Sequence, residues 1–153
     1  AMNGAKMVTD AINKGTLPAP YNTKGVGGVP ATLIELDEGG GAKKQVAEYR
    51  NLVEKRGVDA VVGYISSGNC QALAPIAEEL KQFTIFATCG TPRIFEEAES
   101  KYVFRTMGHA TSDNVAAAMY VKENFPDVKG YTGINQNYAW GQDSWRDFDL
   151  SYF

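Results

Sequence analysis

Short, unbroken apolar runs alternate along this chain with segments whose apolar residues recur every three or four positions. That alternation of two periods constrains the fold more than any other feature. Helical spacing joins Ala5, Val8 and Ile12, with Gly15 placed to end the helix, and then Ala42, Val46, Tyr49 and Val53, stopped at Gly57. It returns in Leu73, Ile76, Ala77 and Leu80, and again in Val115, Ala118 and Met119 behind Thr111 or Ser112 as a cap. Between these lie "ATLIELDE", "DAVVGYI", "FTIFAT" and "YVFRTM", which read as strands, while "KGYTGINQ" reads as a last strand before a helix starting in "GQDSWRDF". Continuous apolar strands separated by helices predict an α/β fold: a doubly wound, mostly parallel sheet with helices on both faces. The Gly/Pro-rich segment "TLPAPYNTKGVGGVP" is long for a connection and is expected to be exposed.

Sheets of this kind bind ligands beyond the carboxyl ends of their strands. "SSGN", "TCGT", "TMGHATSD" and "QNYAWG" all fall there. Ser66, Ser67 and Gly68 sit where a helix begins, and their hydroxyls and free N–H groups suit a carboxylate or another anion. An ordinary helix cap would use the same residues. Thr88 and Thr91 offer neutral donors and acceptors around Cys89, and Gly90 lets a ligand approach the backbone closely. Tyr138 and Trp140 are large rings at a strand end, suited to covering a ligand or to packing in a core. Arg105, near the end of its strand, is placed to pair with an acid or to hold a loop carbonyl. His109 is the only histidine and reads as a solvated loop residue.

Composition removes several alternatives. A net charge of −3 over 153 residues, with both signs interspersed, leaves no basic stripe for nucleic acid. No apolar run approaches the ~18 residues of a membrane span, and no signal peptide precedes the first helix. Ala1-Met2 looks like a tag scar before a start codon. Cys70 and Cys89 each follow a strand and read as two small buried thiols, with a bridge between them as the alternative. No nucleophile elbow is present, and "GVGG" lacks the strand-to-helix context of a phosphate loop, so no enzyme, cofactor or metal is called for.

With those residues in view, the chain resembles the type I periplasmic solute-binding proteins of ABC importers, in the leucine/isoleucine/valine-binding group. "NGAKMVTDAINKG" looks like that family's first helix, and "VDAVVGYISSGNCQALAPIAEE" like its third strand, serine loop and following helix. "YVFRTMGHATSDNVAAAMYV" resembles the run that crosses toward the second lobe, and "YAWGQD" the stretch that opens it. The resemblance implies a periplasmic protein whose two lobes close on a small amino acid or similar polar solute and pass it to a permease. It assigns residues 1–125 to a first lobe lacking its initial strand, and 126–153 to the crossover and first strand-helix of the second: a truncated half-clamp.

Carried over by position, Ser67 matches the serine that holds the ligand carboxylate, and Thr88 a residue whose carbonyl meets the ligand ammonium. Gly90 stands where the family often has a hydroxyl residue, with Thr91 one step away. Trp140, with Tyr138 close by, matches an aromatic that packs on the ligand. The missing strand implies a homo-oligomer formed by strand pairing or exchange, with Tyr131, Gly133 and Ile134 against open sheet edges. A ligand-sensing module of a receptor or transcriptional regulator shares the fold and stands as the second reading. A small enzyme using Cys89 or His109 is a third.

Overall fold

The computed structural model describes residues 2–152. Its helices are α1 (Met2–Lys14), α2 (Gly41–Arg50, continued by a π-helical turn over Asn51–Lys55), α3 (Ser67–Glu79), α4 (Arg93–Glu96), α5 (Ala110–Asn124) and α6 (Ala139–Tyr152). Strands β1 (Val61–Gly63), β2 (Thr84–Phe86) and β3 (Val103–Arg105) form one parallel sheet in that order. Val61 lies opposite Thr84, and Thr84 opposite Val103. The three helices and three strands expected between residues 42 and 119 are therefore all present, and the short α4 is an addition. The sheet is parallel, as the alternation requires.

The chain divides into two compact units, one ending at Asp37 and one beginning at Glu38. In the first, Gly15 ends α1 in the left-handed conformation (φ 67°), its N–H bonded to the Ile12 carbonyl at 3.1 Å. A residue with a Cβ resists that conformation, which is why glycine punctuates the helix here. In the second, one sheet face carries Val61, Thr84, Phe86 and Val103, all buried. Tyr49 of α2 reaches that face, its hydroxyl 2.5 Å from that of Thr84. At the other end of α3, the Glu78 carboxylate accepts from the N–H groups of Lys101, Tyr102 and Val103 at 2.7–3.1 Å. Leu73, Ala77 and Phe86, fully buried, complete the core. The alternate row holds Val62 and Phe104, which are 67% and 47% exposed.

Two expected strands are not strands. "ATLIELDE" joins no ladder, and the backbone of its first residue bonds a side chain instead. Asn13 donates to the Ala31 carbonyl (2.8 Å) and accepts from the Ala31 N–H (2.7 Å), and Lys6 pairs with Glu35 at 2.8 Å. Buried or not, backbone polar groups need partners, and a side-chain amide satisfies them as well as a neighbouring strand does. "KGYTGINQ" is irregular too, and its side chains lie on α6 instead of along a sheet. The Tyr131 ring packs against Phe148 and Tyr152 of α6, its hydroxyl bonds Asp149, and Asn135 donates to the Gly141 carbonyl at 2.7 Å.

Candidate functional site

β1 and β2 end on the same rim of the sheet, and the loops beyond them meet. Backbone donors ahead of α3 are already occupied there. The Glu38 carboxylate accepts from the Ile65 and Ser66 N–H groups at 2.8 Å each, and from the Asn69 amide at 3.0 Å. An acid from the chain itself thus takes the Ser66 N–H, one of the groups expected either to meet a ligand or to cap the helix. Ser67 behaves differently: its side chain is buried, and its hydroxyl accepts from the Thr91 N–H at 3.2 Å. Gly68 lies in the first turn beside the Ser66 hydroxyl.

The second loop is fastened at every residue. Thr88 donates through both its hydroxyl (3.1 Å) and its N–H (3.3 Å) to the Tyr64 carbonyl. Cys89 is not a free thiol. It is joined to Cys70 in a disulfide with a Cα separation of 6.4 Å, both residues fully buried, which corrects the reading of two separate thiols. That spacing lies within the range a bridge needs, and α3 and the loop after β2 supply it by packing side by side.

The Gly90 carbonyl accepts from the Ala110 N–H at 2.7 Å, tying the loop to the start of α5. A Cβ at Gly90 would meet the Trp140 indole Cδ1 at 2.5 Å, so this position admits only glycine while the ring lies there. Arg105 holds loop carbonyls, those of Thr91 (2.5 Å) and Cys89 (3.2 Å), with its guanidinium over the Phe95 ring. Burial lowers the Arg105 pKa from its ordinary value, with Glu96 opposing the shift. Carbonyl bonding is thus the one of its two expected roles that the structure shows.

Sequence reading missed the acids of α6. Thr91, fully buried, donates its hydroxyl to Asp143 Oδ2 at 2.5 Å. Thr111, expected as a cap, donates to Asp147 at 2.7 Å, and Ser112 donates to the His109 carbonyl at 2.8 Å from the first turn of α5. Arg146 pairs with both Asp143 (3.5 Å) and Asp147 (2.6 Å). Trp140 stands 6.4 Å from the Tyr138 ring. Two cavities of about 480 Å³ each open beside Phe95, and neither is lined by Ser67, Thr91 or Asp143.

The family model "Periplasmic binding protein" matches residues 1–152. The chain belongs to the periplasmic binding protein family. A curated member of similar sequence, the Leu/Ile/Val-binding protein BraC3 of Rhizobium johnstonii, is 28% identical over 142 residues, which is 92% of this chain but 35% of that protein. An ABC transporter substrate-binding protein from Desulfitobacterium hafniense superposes with a TM-score of 0.79 at 17% identity, over 99% of this chain and 42% of its own. A solute-binding protein of an ABC transporter from Rhodopseudomonas palustris HaA2, solved in complex with p-hydroxybenzoic acid, gives 0.73 at 25% identity, covering 98% and 38%. The chain therefore spans somewhat over a third of its periplasmic binding relatives, and that share fits one lobe of the two-lobe fold. No described helix is long and apolar enough to cross a membrane.

Proposed function

We propose that this chain forms the first-lobe wall of a solute-binding site serving an ABC importer, for a branched-chain or other small amino acid or a similar polar carboxylate. One observation carries the reading: the Ser67 hydroxyl and Thr91 meet at the carboxyl rim of the parallel sheet, with Trp140 against the neighbouring Gly90. Ser66, Ser67, Gly68, Thr88, Cys89, Gly90, Thr91, Tyr138 and Trp140 are the proposed ligand-facing set, Ser67 and Thr91 holding the carboxylate and the two rings covering its apolar body. The bound p-hydroxybenzoic acid of the Rhodopseudomonas relative supports a carboxylate as the ligand class. The Cys70–Cys89 disulfide supports a periplasmic setting, since such bridges persist in oxidising compartments. The permease of the importer is the proposed partner.

Small-molecule sites bury ~70–90% of their ligand, and one wall falls short of that. Calorimetric titration of this chain with L-leucine and with 4-hydroxybenzoate is expected to give a Kd of roughly millimolar, about −4 kcal/mol. A micromolar Kd would overturn the single-wall account. No heat from either carboxylate, with the Thr91–Asp143 bond shown to be released, would overturn the site itself.

A further inference from the structure

The loops proposed to hold a ligand are already full. Asp143 brings a carboxylate, 5% exposed, to the Thr91 hydroxyl, and Trp140 brings an apolar ring to Gly90. Both come from the first turns of one helix. That helix is unusual in the face it hides: its buried residues are Gly141, Asp143, Ser144 and Asp147, whereas Trp145 and Leu150 are 40% and 73% exposed. A helix normally buries its apolar stripe. Here the hidden face is held by hydroxyl–carboxylate bonds from Thr91 and Thr111, and the buried Ser144 hydroxyl has no hydrogen-bond partner at all. Such bonds are replaceable. A solute carboxylate offers Thr91 the same acceptor that Asp143 does, and released carboxylates and hydroxyls regain water, so detachment costs little net hydrogen bonding.

We propose that the start of α6 is an internal surrogate ligand, with Asp143 in the carboxylate position, so that a solute carboxylate reaches Thr91 only as α6 shifts outward, the Trp140 ring then lying over the solute instead of against Gly90. This rests on the carboxylate-binding reading above. The apparent affinity is then the intrinsic one reduced by the fraction of molecules whose cradle is empty, and weakening the plug raises that fraction.

The test uses the full chain, with L-leucine and 4-hydroxybenzoate as probes. Asp143→Ala is expected to bind at least about tenfold tighter than the unchanged protein, and Asp143→Asn, which keeps the shape, to fall between. Hydrogen exchange on the unchanged protein needs no variant: amides of residues 139–147 are expected to exchange faster at saturating carboxylate. Equal affinities in all three proteins, with exchange at 139–147 unmoved by ligand, would overturn the plug and leave carboxylate binding standing. Fast exchange at 139–147 in Asp143→Ala with no carboxylate bound would instead overturn the carboxylate reading, and the plug with it.

Discussion

Ser66 and Ser67 are neighbours whose bonds differ in kind. Ser66 contributes its backbone N–H to Glu38, whereas Ser67 contributes its side chain to the Thr91 N–H. Ser67→Ala therefore leaves a buried donor unpaired and is expected to cost about 1–3 kcal/mol, while Ser66→Ala is expected to stay within about 0.5 kcal/mol. Urea denaturation of the two variants decides it, and equal losses would show that the Ser67 bond does not hold the loops. Glu38→Ala removes the acceptor of two N–H groups and one amide, and an expected loss of about 1.5–3 kcal/mol follows from bonds to a charged group. A loss no greater than that of Ser66→Ala would mean water replaces the carboxylate fully. Burial and the Asp149 carboxylate push the Tyr131 phenol up to about 12. Because that pKa is raised on folding, its contribution to stability is whole below the unfolded value of about 10 and is lost as pH rises through about 12. Burial also raises Tyr49 and Tyr64, so ultraviolet titration of Tyr131→Phe beside the unchanged protein should show one late-ionising tyrosine fewer, and no loss would remove Tyr131 from the aromatic cluster.

At the scale of elements, the periodic segments were legible and the unpaired ones were not. α2, α3, α5 and the three strands announce themselves because burial on one stripe or on both faces writes a period into the residues. "ATLIELDE" carries the same apolar character, but a strand exists only in a ladder, and no local signal reveals that Asn13 will take the backbone of Ala31. The site divides in the same way. Serine, threonine and glycine at strand ends pointed to the meeting loops, yet Asp143 and Glu38 reach them across 52 and 28 residues, distances at which sequence spacing says nothing. β1 pairs only with β2, leaving its other edge without a strand neighbour among the described residues. Open edges recruit strands from other chains, so self-association is expected. Light scattering at micromolar concentration checks this, and a clean monomer would mean the edge is shielded.

For the molecule as a whole, the covalent bridge matters most. Cys70 and Cys89 are 19 residues apart, and closing a loop of that size is worth about 3 kcal/mol on chain entropy. Urea midpoints with and without reductant should differ accordingly, and coincident curves would show that the fold does not depend on the bridge. The bridge also links Cys70, three residues after Ser67, to Cys89, next to Gly90, and so joins the two segments proposed to meet the solute. Any solute that prefers the bridged spacing of those loops must, by thermodynamic reciprocity, make the bridge harder to reduce by the same factor. Occupancy of the rim and electron occupancy of the sulfur pair would then report on each other, and a thiol-exchange equilibrium becomes a binding assay.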